Sequence, residues 1–284
     1  MSTLITARAD SVWHHLSPFG FARSLWEHGD LIRQFTLREI QGRYKGSSLG
    51  LFWSFLQPLA LLLIYTFVFG VVFRARWAHQ QRTGSLGEFA FVLFCGLIPF
   101  NLFNECVSRA SNLVVMVPNY VRRVVFPLEV LPVSAVGSAC FHATVSLAVL
   151  VAVRLAAQGT VAPTLLLLPV VVPPLLFLCL GLTWFLASLG VFFRDLSYVV
   201  SLVLQVLLFA TPIFYPLDAV PERFRPILRG NPLAAMVENF RRVVLWGVPP
   251  DWGWLTASWL VGTTVMLLGY AWFMKTKRGF ADVL

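Results

Sequence analysis

The sequence predicts an all-α integral membrane protein with six membrane-spanning helices. Of its 284 residues, 58% are hydrophobic and only 12% charged, about half the charged share of an ordinary soluble domain. The charges are also segregated. Six stretches free of Asp, Glu, Lys and Arg, of 28, 16, 24, 39, 22 and 23 residues, together fill more than half of the chain. A helix needs roughly 20 apolar residues to cross the hydrocarbon core, and a water-soluble protein has no use for six such runs. A soluble enzyme and a disordered chain are excluded on this ground. An outer-membrane barrel would show short alternating segments instead.

The chain divides into a cytoplasmic N-terminal segment, residues 1–45, and one transmembrane domain, residues 46–284. The first 20 residues hold no apolar h-region, so no cleavable signal peptide is expected. A basic helix from about Phe21 to Tyr44 is expected at the membrane surface, although its apolar residues fall in two patches and not in one stripe. The spans are expected at about 51–73, 87–107, 128–153, 164–193, 196–217 and 253–274. The 39-residue run is read as one span because its polar stretch, Gln158–Thr160, lies near its start, and an internal Pro173-Pro174 is tolerated inside a membrane. With six spans both termini share a side. That side carries 13 Lys and Arg against 9 on the other, with Lys275, Lys277 and Arg278 directly at a helix end, so both termini are expected in the cytoplasm.

Between the fifth and sixth spans, Asn231 is a good N-cap and Pro232 suits the first helical position. Leu233, Met236, Val237, Phe240, Val243 and Val244 follow at helical spacing, and Gly247 supplies a stop. This spacing predicts an outer amphipathic helix with Phe240 buried and Arg241 and Arg242 on its polar side.

Chemistry of several kinds is missing. The phosphate-cradling pattern G-x-x-x-x-G-K-[ST] does not occur, so ATP and Mg are not expected on this chain. Cys95, Cys106, Cys140 and Cys179 lie in or beside apolar runs with no C-x-x-C spacing, and read as buried thiols without disulfide or zinc. His142 in the third span, and Asn101, Asn104 and Glu105 on one face of the second, allow two readings: an ion relay, or a polar inner vestibule with a satisfied helix–helix contact. The loop Ser108–Arg123 is a candidate docking element for a soluble partner, with Ser111 or Asn112 capping a short helix that Pro118 terminates. An ordinary loop anchored by positive charge is the alternative.

Six motifs occur in order on the expected spans. They are Arg43–Leu59 (RYKGSSLGLFWSFLQPL), Gly96–Phe100 (GLIPF), Phe126–Pro132 (FPLEVLP), Val191–Leu196 (VFFRDL), Thr211–Tyr215 (TPIFY) and Asn231-Pro232. In this the chain, from about Leu31 to Met274, resembles the type-2 ABC exporter permeases, in particular the Wzm and TagG branch that exports O-antigen, other polysaccharides and teichoic acids on lipid carriers. The resemblance implies a homodimeric channel of the bacterial inner membrane, with a lipid-linked polysaccharide as substrate. It implies two copies of an ATP-binding partner subunit, which hold the ATP and Mg. Membrane lipids are the other expected partner; nucleic acid is not. The loop maps onto the family's coupling helix, so Ser111, Asn112, Leu113, Met116, Tyr120, Arg122 and Arg123 are the ATPase-coupling candidates. Glu105, Glu129, Arg194 and Asp195 are candidates for an inner polar gate. Teichoic-acid, capsular-polysaccharide and drug export are alternatives within the same family.

Aromatic rings suit a sliding sugar chain because they offer apolar area without a fixed hydrogen-bond register. Tyr65, Phe69, Phe209, Phe214 and Tyr215 are channel candidates on that argument, with a lipid-facing role equally open. Phe52 and Trp53 read as an interfacial belt. A membrane-embedded glycosyl- or acyltransferase would need a catalytic acid, base or metal site at a membrane face. The only tight charged pair in a short turn is Arg194-Asp195, which more readily pairs locally or meets the ATPase.

Overall fold

The computed structural model describes residues 27–72, 88–121 and 126–284. Among them there is no strand. In hydrocarbon no water satisfies backbone N–H and C=O groups, so each apolar run closes its hydrogen bonds internally as a helix. Among the described residues, five helical segments are long and apolar enough to cross a membrane: Gly50–Phe69, Glu88–Ala110, Val130–Gln158, Pro163–Phe192 and Trp252–Val283.

The main helices are α1 (Gly29–Tyr44), α2 (Trp53–Tyr65), α3 (Glu88–Ala110), α4 (Val130–Gln158), α5 (Pro173–Phe192), α6 (Leu196–Ala210), α7 (Pro232–Arg241) and α8 (Trp252–Thr276). A correction concerns α6. The expected span 196–217 stops at Ala210, because Pro212 disfavours helical geometry in the residue before it, and Thr211 is extended. Its 15 residues rise about 22 Å, short of a full hydrocarbon core. The chain then bends through the Thr211–Tyr215 motif.

Two ends of the bundle are defined by contacts. At the end called proximal here, Glu129 Oε2 accepts from Lys277 Nζ at 2.6 Å, Ser188 and Thr276 hydroxyls lie 2.7 Å apart, and Phe192 packs against Phe280. The loop between α3 and α4 and the segment α1 are tied to the same end, where Arg109 pairs with Glu39 at 2.7 Å. At the distal end Arg154 Nη1 and Nη2 donate to the carbonyls of Val244 and Leu245, both at 2.7 Å, and Thr164 Oγ1 donates to that of Val243. The side chain of Asp251 caps α8 by accepting from Gly253 and Trp254 N–H.

Packing between membrane helices depends on close backbone approach at small residues. The α5–α8 pair shows it: a Cβ on Gly181 or Gly269 would overlap the facing backbone, and one on Gly262 would overlap the carbonyl of Pro174. Helix α3 lies at the centre, 78% buried along its most apolar window, whereas α2 and its flanks are 17% buried. The outward faces of α2 and α6 are therefore apolar and open, as at Leu63, Phe67, Leu202 and Val206. Several hydroxyls inside the spans are satisfied locally: Thr66, Ser146, Thr183 and Ser258 each donate to the carbonyl four residues back, a common solution for such side chains in helices.

Candidate functional site

A cavity of about 1100 Å³ opens at the proximal end, between α1, α2, α3, α4 and the α3–α4 loop. Small-molecule sites commonly occupy roughly 300–1,000 Å³. One face of α1 forms its floor. Phe35, Arg38, Glu39, Gly42 and Arg43 recur at i, i+3, i+4, i+7 and i+8, so a single helical face presents all five to the cavity. The rest of α1 packs on α4, with Thr36 against Gly137.

Above the floor sits a polar triad. Arg43 Nη1 donates to Glu105 Oε1 at 2.7 Å, and His142 Nδ1 lies 2.9 Å from the same oxygen and 3.2 Å from Oε2. Arg43 Nη1 and His142 Nδ1 are themselves 3.0 Å apart. A proton on Nδ1, donated to the carboxylate, satisfies both short contacts to Glu105; the Arg43–His142 approach is then that of two donors sharing one acceptor. His142 Nε2 is buried and has no hydrogen-bond partner. Asn101 and Asn104 line the cavity beside Glu105, as their shared helix face requires. The triad ties α1, α3 and α4 together at the cavity wall and leaves one buried ring nitrogen of His142 unpaired.

The coupling candidates divide. Asn112, Leu113, Met116 and Tyr120 line the same cavity, and Met116 is 78% exposed. Ser111 is buried, and its hydroxyl lacks a partner. Tyr120 OH accepts from Arg38 at 3.4 Å and its ring stacks on Phe126 at 4.6 Å, which joins the loop to α1. The expected helix ending at Pro118 is corrected: residues 111–116 are turns, and Pro118 instead opens the single helical turn Pro118–Val121. Proline is tolerated at a first helical position, where its missing N–H costs nothing. Arg122 and Arg123 lie outside the described residues.

Of the gate candidates, Glu105 alone belongs to the cavity. Glu129 ties α4 to the end of the chain through Lys277, and its carbonyl accepts from Trp184 Nε1 at 3.2 Å. Arg194 and Asp195 are exposed in the turn between α5 and α6, with no ion pair among the described residues. The aromatic candidates fall into two groups. Tyr65 lines the far end of the cavity, while Phe69 packs on Phe89 at 5.5 Å. Phe209 and Phe214 stack at 6.0 Å where the chain leaves α6, and Tyr215 OH donates to the Phe209 carbonyl at 2.6 Å.

The distal helix α7 needs a larger correction. Phe240 is buried and Arg242 half-buried, with Nε on the Pro249 carbonyl at 2.9 Å. Arg241, expected on the polar side, is fully buried. It donates from Nε to the Val92 carbonyl at 3.1 Å, and from Nη1 and Nη2 to those of Pro212 and Ile213, both at 2.8 Å. Glu238 Oε2 stands 3.9 Å away. The guanidinium lies over Gly96, where a Cβ would overlap it. Asn231 adds a second tie, accepting from Leu233 N–H as N-cap while donating to Thr211 Oγ1 at 3.0 Å. Three of the sequence motifs, GLIPF, TPIFY and Asn231-Pro232, therefore meet at one place. The signal was present in the spacing: Arg241 sits four residues after Val237 and three before Val244, on their face. Among the described residues no group of His, Cys, Asp or Glu is placed to hold a metal ion.

Several apolar helices long enough to cross a membrane, packed around a cavity with a polar mouth, define a multi-pass membrane protein. A profile of the ABC-2 type transporter family matches residues 30–245, and the chain belongs to that family. It is similar to the O-antigen export system permease protein RfbA of Myxococcus xanthus, 30% identical over 262 residues that cover 92% of this chain and 97% of the relative. The RfbA of Klebsiella pneumoniae is 29% identical over 258 residues, 90% and 95% of the two chains. The polysialic acid transport protein KpsM of Escherichia coli is 28% identical over 214 residues, 74% and 80%.

Proposed function

We propose that this chain is the permease subunit of an ATP-driven exporter that moves a lipid-linked polysaccharide of the O-antigen type across the inner membrane. The observation that carries the reading is the end-to-end similarity to two O-antigen export permeases. In this reading the proximal end is cytoplasmic, with both termini, α1 and the α3–α4 loop on that side, and α6 with the bend after it completes a sixth crossing. ATP and Mg sit on two copies of a partner ATPase, which press on Asn112, Met116, Tyr120 and the neighbouring Arg122 and Arg123. Two copies of the chain form the conduit, meeting along the open apolar faces of α2 and α6.

The supporting physical argument is one of work. The chain has no phosphate-cradling loop of its own, so a partner must supply the energy, and the exposed loop tied to α1 by Arg38–Tyr120, beside the Glu39–Arg109 pair between α1 and α3, is placed to receive a push. The test is deletion of the gene in its native host. Loss of surface polysaccharide with accumulation of the lipid-linked glycan inside the cell is the expected result. Unchanged surface glycan overturns the reading. The likeness to the polysialic acid transport protein KpsM supplies a second reading, export of a polysialic acid-like glycan, and the composition of the accumulated glycan separates the two.

A further inference from the structure

A different cavity, apolar and about 210 Å³ in volume, lies where α3, α4, α5 and α7 meet. Two interrupted helices border it. Pro99 stands inside α3, and Pro173 opens α5 just after the short helix Leu168–Val171. A proline ring clashes with the carbonyl four residues back and bends the backbone away, which leaves a gap between neighbours. The walls are Pro99 and Leu102 of α3, Ala143 and Leu147 of α4, Leu175 of α5 and Met236 of α7. Cys140 and Thr144 complete the lining on α4. The thiol behaves as a small hydrophobe, and the Thr144 hydroxyl is engaged by the Cys140 carbonyl at 2.8 Å, so the cavity offers no set of polar partners for a water. Thr144 is exposed and marks a mouth on the outside of the bundle. Neither α2 nor α6 contributes a lining residue.

An empty cavity costs stability in proportion to its volume, and one that opens on hydrocarbon has acyl chains as its nearest filling. Arg154 supplies the place for a head. It follows Ala143 by eleven residues and Leu147 by seven, so it shares their face of α4, roughly 10–17 Å nearer the distal end. One leaflet's hydrocarbon is about 15 Å deep, half of the core. Three of the five guanidinium N–H groups are engaged, on the Val244 and Leu245 carbonyls and on Gln158 Oε1 at 3.1 Å. All three acceptors are neutral, which leaves a cation with two donors at headgroup level. We propose that this cleft holds one diacyl phospholipid of the distal leaflet, its phosphate at Arg154 and the end of one acyl chain in the cavity. Guanidinium suits phosphate because it presents paired donors in the right geometry. The second chain lies on the outer face of α4, where Ala148 and Ala152 are exposed and small. The seated chain braces α7, whose Met236 and Phe240 line the cavity, against α3 and α4.

The test is native mass spectrometry of the full chain in detergent, with dioleoylphosphatidylglycerol as probe and dioleoylglycerol and farnesyl phosphate as comparison ligands. Phosphatidylglycerol is retained more tightly than dioleoylglycerol, and farnesyl phosphate at equal concentration does not displace it. Arg154→Gln weakens phosphatidylglycerol about tenfold, the loss of one charge-assisted contact, and leaves dioleoylglycerol unchanged. Because Arg154 also holds the end of α7, a second variant acts from an exposed position: Thr144→Trp closes the mouth and weakens both glycerolipids, while the unfolding midpoint of the lipid-free chain stays where it was. Equal retention of the two glycerolipids, displacement by farnesyl phosphate, or unchanged phosphatidylglycerol retention in Thr144→Trp overturns the proposal. None of these readouts needs ATP, a partner or a glycan, so their failure is distinct from failure of the export reading.

Discussion

Replacing Arg241 with Met removes a buried cation and its three hydrogen bonds while keeping a long, flexible side chain. The carbonyls of Val92, Pro212 and Ile213 then lose donors at 2.8–3.1 Å. A hydrogen bond to a charged group contributes about 1.5–3 kcal/mol, and each orphaned buried acceptor costs about 1–3. These figures are not additive, and the released cation no longer has to be desolvated, so a net loss of about 3–5 kcal/mol is the reasonable scale. That corresponds to a fall in unfolding midpoint on the order of 10 °C. The assay is thermal unfolding of purified protein in detergent, followed by tryptophan fluorescence. Arg242→Met, which removes one bond at a half-exposed site, is the control and shifts the midpoint far less. Gly96→Ala drives a methyl into the guanidinium, so it destabilises the native chain but is better tolerated once Arg241 is Met, a non-additive pair. If Arg241→Met unfolds together with the native protein, or if Arg242→Met is the worse variant, the keystone role of Arg241 is refuted.

Other outcomes follow from the same contacts. Glu129→Gln weakens the tie to Lys277 and lowers the midpoint by the equivalent of about 1–3 kcal/mol; an unchanged midpoint at low salt counts against it. Phe240→Asp places an unpaired charge in an apolar setting, costs several kcal/mol and abolishes membrane accumulation on a blot; normal levels would contradict the burial of α7. Cysteines at Leu63 on the open face of α2, or at Phe67 just beyond it, cross-link two copies in the membrane, whereas cysteine at Phe69, packed on Phe89, does not; the reverse pattern places the pair interface elsewhere. Charge reversal of Arg122 and Arg123 together uncouples ATP hydrolysis from export, and normal export by that variant removes the loop from the coupling path.

Much of the candidate site was visible as residue types before it was visible as a place. Asn101, Asn104 and Glu105 share a helix face by spacing alone, and His142 stood out as an ionisable group inside an apolar run. Nothing local in the sequence says that Arg43 reaches them, because its partners lie 62 and 99 residues away. The loop stood out by its charges and by Pro118, but Pro118 begins its helical turn instead of ending one, since both positions satisfy the same rule about a missing N–H.

What the sequence determined by itself is what local physics decides. Long runs without charge must be helices in a membrane, because their backbones have no other partner there. Asn231, Pro232 and Gly247 bound an amphipathic segment through their own side chains and dihedral preferences, and Gly247 does adopt the left-handed φ of 66° that its place demands. Tertiary structure alone decided which polar groups are enclosed. Arginine is normally a surface residue, so residue type assigns Arg241 to solvent even though its spacing places it on the face of Val237 and Val244. It is buried because α6 stops early, and the bend after it turns the carbonyls of Pro212 and Ile213 toward α7 beside that of Val92. A guanidinium with several donors is matched there by acceptors from three separate segments, and no property of residues 232–246 taken alone encodes the position of those acceptors.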